Sequence, residues 1–129
     1  HPLGAAQEEG IQPSAARRDF FLTVQHGQFY QGKPVIGYDL PGFGDELCGL
    51  PYLPRLIAKA RAKLVGSMGD DIIYCCENDR RFFRDHGNIH PADFLRVVWA
   101  AGDSDPKVYD YVRQRTLSVS SAVPDNEQT

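Results

Sequence analysis

Two histidines four residues apart, His86 and His90, are the first groups in this chain that could hold a metal ion or move protons near neutral pH. On one continuous helix that spacing would set both imidazoles on one face, ready to chelate a single ion. Gly87, Asn88 and Pro91 break such a helix, because proline disfavours helical geometry in the residue before it. His86 is therefore read as a cation at a helix C-terminus and His90 as a cap-position residue, and no metal is expected. Cys75 and Cys76 are neighbours in sequence. Neighbours on an extended segment point to opposite faces, so at most one of the two thiols can share a cavity with an imidazole. The other is expected to fill space as a small apolar group.

The cations suggest a second chemistry. Arg55, Lys59, Arg61 and Lys63 on one segment, with Arg80, Arg81 and Arg84 on the next, could form a fork for a carboxylate or phosphate. The plainer reading is a solvated face paired with Asp70, Asp71, Glu77, Asp79 and Asp85. Arg55 stands next to an apolar stripe, where a half-buried guanidinium needs a partner, and Asp79 is the expected one. Tyr52, Tyr74, Tyr109, Tyr111 and Trp99 would line an aromatic pocket or pack in the core. The candidate proton-moving groups are Asp79, Tyr74, His86 and Cys75. The candidate ligand contacts are Arg55, Lys59, Arg80 and Tyr52. No cofactor is expected: Gly42-Phe43-Gly44-Asp45-Glu46-Leu47 lacks the closing glycine of a dinucleotide fingerprint, and no Gly-x-Ser-x-Gly elbow occurs.

Those side chains must be held by elements, and the clearest element starts at Pro54. Proline suits the first helical turn, where its missing N–H would have no partner. Leu53, Leu56, Ile57, Ala60 and Leu64 follow helical spacing on one face, and Arg55, Lys59 and Lys63 recur on another, read as the cationic side. Gly66 and Gly69 supply the stop. Ile72 to Cys76 is an apolar run that predicts a short buried strand or extended crossing. Asn78 or Asp79 is the expected cap of a short helix carrying Phe82 and Phe83, closed by Gly87. A further helix begins at Pro91, buried through Phe94, Leu95, Val98 and Ala101 and ended by Gly102, and another begins near Pro106, buried through Val108, Tyr111 and Val112. Phe20 to Val24 has strand propensity, yet Ser14 to Arg18 ahead of it could open a helix, so both readings stand there.

The expected fold is mainly α, an α+β chain with minor strands: a compact bundle of about four helices with a short extended segment near residues 71–76. Residues 1–18 read as a mobile arm, 19–115 as one globular domain and 116–129 as a disordered tail. With 14 Lys plus Arg against 17 Asp plus Glu, the net charge of −3 offers no field for nucleic acid or an anionic membrane, and neither is an expected partner. No run approaches the roughly 18 consecutive apolar residues of a spanning helix. Three cysteines, two of them adjacent, make a poor disulfide framework and favour a reducing, cytoplasmic setting. Surplus aromatic residues on a helical module make a homodimer the expected assembly.

The order of these signals resembles a small bacterial family, domain of unknown function 5069. The resemblance rests on Leu53-Pro54-Arg55-Leu56-Ile57 and Lys59-Ala60-Arg61-Ala62, a glycine turn, the Tyr74-Cys75 region, Asp79 with Phe82-Phe83, Gly87 before a Pro-started helix, and Ser104-Asp105 with Val108 and Val112. It covers roughly residues 38 to 114. The chain departs from the family pattern at Ala58, where an acidic residue is expected, at Cys48-Gly49-Leu50, and at Glu77-Asn78 ahead of the aspartate. The resemblance implies a fold and domain limits, and it implies no activity. Two functions follow from the residues. The first is a non-catalytic domain that binds a small anionic ligand or a protein partner in the groove beside the Pro54–Leu64 helix. The second is a cofactor-independent lyase, isomerase or hydrolase acting on a small carboxylated or aromatic substrate.

Overall fold

The computed structural model describes residues 5–128, with side chains described for residues 14–119. Five α-helices follow one another: α1 (Ala5–Thr23), α2 (Leu53–Val65), α3 (Glu77–Asp85), α4 (Pro91–Ala101) and α5 (Asp105–Gln128). Between α1 and α2 lie a 3-10 turn, Gly37–Asp39, and a small antiparallel pair, β1 (Glu46–Leu47) and β2 (Leu50–Pro51), in the register Glu46 opposite Pro51 and Leu47 opposite Leu50. The chain is mainly α with minor strands, as its periodicity predicts.

The apolar spacing in α2 explains its place at the centre. Leu53, Leu56, Ile57, Ala60 and Leu64 are all buried, and α2 packs against α1, α4 and α5. Phe94, Leu95 and Val98 of α4 and Val108 and Val112 of α5 complete this core with Phe82 and Phe83 of α3. Burying a side chain of this size contributes roughly 1.5–3 kcal/mol, so these helices are held by their shared face more than by intrinsic propensity. Gly66 ends α2 at φ +85° with its N–H on the Ala62 carbonyl, 2.9 Å away. Gly87 closes α3 at φ +94°, and a β-carbon there would stand 2.5 Å from the Arg115 carbonyl oxygen, so only glycine lets α3 turn so close to α5.

Several expectations need correction. Helix α1 begins inside the segment expected as an arm, and Ala16 is fully buried in the core, so residues 14–18 are part of the packed structure. The rest of that expected arm has no described side chains, and residues 1–4 lie outside the described residues altogether. Phe20 to Thr23 resolve as helix: the Phe20 ring meets Trp99 edge-on at 5.3 Å, a contact that outweighs local strand propensity. Helix α5 carries the chain on beyond Arg115, where a disordered tail was expected to start, and Thr116 donates its hydroxyl proton to the Val112 carbonyl one turn back. Residues 72–76 pair with no strand. Ile72 and Tyr74 are buried and Ile73 exposed, an alternation typical of an extended segment, but Cys75 at φ +71° bends the chain out of any ladder. The cap of α3 is Cys76, with Asp79 at the third helical position, and not Asn78 or Asp79.

Candidate functional site

Asp79 is the most enclosed ionisable group among the described residues, with no solvent exposure. Buried carboxylates persist only when their lone pairs are satisfied. Here the Tyr52 hydroxyl donates to Oδ1, and Lys59 Nζ, at 2.7 Å, donates to Oδ2 together with the backbone N–H groups of Cys75, at 2.8 Å, and Cys76, at 3.3 Å. The last of these is half of a capping box, with a carboxylate at the third helical position reaching back to the cap residue. Asp79 thus ties α2, α3 and the segment between them through one carboxyl group.

Lys59 departs from its expected place on a cationic, solvated face: the residue is 4% exposed. Its ammonium lies between Asp79 and the Cys76 sulfur, 3.4 Å away. The reason lies across the fold. The N-terminus of α3 covers one side of α2, and the aspartate it carries supplies the charge that makes burying an ammonium tolerable. This pairing also corrects the expected Arg55–Asp79 contact. Arg55 instead donates to the Pro41 carbonyl at 3.0 Å and lies over the Phe43 ring, 4.1 Å from its centroid.

Above this network runs a groove of about 200 Å³ beside α2, lined by Phe43, Tyr52, Arg55, Lys59, Cys76 and Asn78 among others. Asp71 also borders it, with a carboxylate oxygen accepting the Gly37 N–H at 2.8 Å. Tyr52 stands at φ +76° immediately before α2, a left-handed conformation that turns its ring across to Phe43 and Phe82 and its hydroxyl onto Asp79. Burial, and after it the Asp79 carboxylate, holds the Tyr52 phenol protonated well above its ordinary range, with its hydroxyl hydrogen directed to Asp79.

The remaining predicted residues lie elsewhere. Cys75 and Arg80 line a different cavity of about 320 Å³ with Phe83, Arg84, Ile89 and His90. Arg80 is exposed and donates to the Cys75 carbonyl at 3.0 Å. Behind that cavity the buried Tyr74 hydroxyl donates to the Pro91 carbonyl at 2.7 Å, and burial, then the nearby Cys75 and Asp79, raises its pKa well above the ordinary phenol value. His86 is the C-cap of α3. Its Nδ1–H donates to the Phe82 carbonyl at 2.8 Å, its ring stacks on Phe82 at 4.1 Å, and it lines neither the groove nor the larger cavity. His90 takes the cap position expected of it, its Nδ1 accepting the Ala92 N–H at 3.1 Å.

The fold therefore brings Tyr52, Lys59 and Asp79 into one network and sets Arg55 beside it, while Tyr74, Cys75 and Arg80 do not line that groove and His86 lines an adjoining recess with Phe43, Tyr52 and Asn78. Two contributors escape sequence reading. Phe43 belongs to a turn with no periodicity to interpret. Cys76 reads in sequence as one of a pair of thiols, although its position three residues before an aspartate in the first turn of a helix is the capping-box spacing.

A small helical domain with a buried lysine–aspartate pair beneath a surface groove is the class these features define. The family model described as Domain of unknown function (DUF5069) matches residues 44–122, which is more than half of the chain. The chain belongs to that family. Comparisons with curated proteins and with solved structures give no match.

Proposed function

We propose that the groove beside α2 binds a small carboxylated molecule. The observation that carries this reading is the convergence of Arg55, Lys59 and Tyr52 on one cleft of about 200 Å³. A guanidinium has five N–H donors, and Arg55 uses one of them on the Pro41 carbonyl, leaving the others to meet a carboxylate. The Phe43 ring beneath it gives the apolar part of a ligand a surface to rest on. Lys59 adds positive charge close to the groove floor, fixed in place by Asp79. The domain works in this reading as a binding module without cofactor, in a cytoplasmic setting, and a protein segment ending in an exposed carboxylate would satisfy the same contacts.

A thermal-shift screen of small mono- and dicarboxylates tests it. The wild-type protein is expected to gain melting temperature with at least one of them, and Arg55→Ala to lose that gain while keeping its own unliganded melting temperature close to wild type. Equal shifts in the two proteins would sink the proposal.

The enzymatic alternative draws support from a different grouping than the sequence suggested. Tyr52 as a protonated phenol, Lys59 as a cation and Cys76 as a thiol all border the groove. Tyr74 and Cys75 do not, and His86 lines only the adjoining recess with Phe43, Tyr52 and Asn78, so a lyase or isomerase in this groove would have to work without Tyr74 and Cys75.

A further inference from the structure

We propose that Cys76 is an oxidative modification site whose partner is Lys59, and that peroxide joins the two side chains through a covalent nitrogen–sulfur bond. The inference rests on the 3.4 Å separation of Lys59 Nζ and Cys76 Sγ and on the openness of the groove that both residues line. It does not depend on whether the groove binds a carboxylate.

The geometry supplies each participant. Cys76 is half-buried and borders the groove, so a small peroxide reaches its sulfur. Oxidation of the thiol by hydrogen peroxide gives the sulfenic acid and water: sulfur loses two electrons and the peroxide O–O bond breaks. A sulfenic sulfur is an electrophile that nitrogen attacks to form a sulfenamide. Lys59 Nζ stands 3.4 Å from the sulfur, held in place from the other side by Asp79 Oδ2 at 2.7 Å. As the N–S bond forms, the S–OH bond breaks. Of the three ammonium protons, one stays on nitrogen, one passes to the Asp79 carboxylate and one leaves with the hydroxyl as water. Starting from ammonium, thiol, carboxylate and one peroxide, the products are the sulfenamide, the carboxylic acid and two waters, so atoms and charge balance. Asp79 thereby acts as base for a reaction between its two neighbours.

The arrangement also separates Cys76 from the other thiols. Cys48 is exposed on the turn between β1 and β2, and Cys75 lines the opposite cavity. Linkage would replace the Lys59 ammonium with a neutral nitrogen and remove that cation from the groove.

The experiment uses the full chain carrying Cys48→Ser and Cys75→Ser, so that no intramolecular disulfide can imitate the product. The protein is treated with hydrogen peroxide at low protein concentration, capped with iodoacetamide, digested and read by tandem mass spectrometry, with the wild-type chain run in parallel in case the double variant does not fold. The expected result is a peptide pair joined between Lys59 and Cys76, lighter by two hydrogens than the sum of its parts, no longer cleaved by trypsin after Lys59 and released by dithiothreitol. With Lys59→Arg that species is expected to disappear. Cys76 oxidised to sulfenic or sulfinic acid beside an unmodified Lys59 would overturn the proposal, as would a link that retains the peroxide oxygen. Failure of the cross-link leaves the carboxylate shifts of the wild-type protein untouched, and absence of those shifts leaves the cross-link untouched, so the two readings fail separately.

Discussion

The groove and the larger cavity meet at adjacent residues, since Cys76 lines the first and Cys75 the second, yet they are built in opposite ways. Below the groove lies a charge network with its ions inside: Lys59 and Asp79 are 4% and 0% exposed. At the cavity the order is reversed, with buried Phe83 and Ile89 in its walls and the cations Arg80 and Arg84 out in solvent. The contrast teaches how charge can be used at two neighbouring sites. A buried ion pair is costly to break and fixes the shape of its surroundings, whereas solvated arginines contribute little to stability and remain free to move.

The most damaging way to test this contrast is Asp79→Ala. It strands the Lys59 ammonium without its carboxylate and leaves the Tyr52 hydroxyl and the two backbone N–H groups without an acceptor. The expected loss is about 3–5 kcal/mol of unfolding free energy, read from urea denaturation. A loss below roughly 1 kcal/mol would show that the network is solvated and the contrast mistaken. A smaller effect is expected from Tyr74→Phe behind the cavity, where the Pro91 carbonyl loses its donor at a cost of about 1–3 kcal/mol.

Alkaline pH sharpens the same substitution. Burial raises the pKa of Tyr74 in the folded chain above the value near 10 of the unfolded one. Between those two values the folded state holds the proton that the unfolded state has released. Its contribution is therefore complete below about pH 10 and declines above it, by up to about 1.4 kcal/mol per pH unit. Tyr52 acts with the same sign. Denaturation midpoints measured from pH 8 to 11 should fall less steeply in Tyr74→Phe than in the wild type; parallel curves would contradict the burial argument. The smallest change is expected at the mouth of the cavity, where Arg80→Ala should alter stability by less than about 0.5 kcal/mol. A larger loss would show that its bond to the Cys75 carbonyl holds the segment between the two pockets.

Much of the frame was legible in the residues. Pro54 stands in the first turn of α2, one residue inside its start, and Pro91 starts α4; Gly66 ends α2 in a left-handed conformation, and the spacing of Leu53, Leu56, Ile57, Ala60 and Leu64 marks the buried stripe. These signals are local, acting within one or two helical turns. The groove depends on contacts between residues far apart in the chain. Lys59 repeats at the same interval as Arg55 and Lys63 and so resembles them, and only the arrival of α3 distinguishes it. The left-handed turn at Tyr52, which aims its hydroxyl at Asp79, has no signature in a tyrosine side chain. Asp79 is expected from sequence as the partner of Arg55, and it pairs instead with Lys59, four residues further along the same helix.

The Cys75 and Cys76 amides hydrogen-bond to an aspartate side chain where a strand would use a neighbouring backbone. Those two contacts are therefore coupled: a ladder fails one rung at a time, but amides that share a single carboxyl lose their acceptor together. Whatever occupies or neutralises that carboxyl acts on the shared wall of both pockets together, so two recesses that share no lining residue are joined by a common latch.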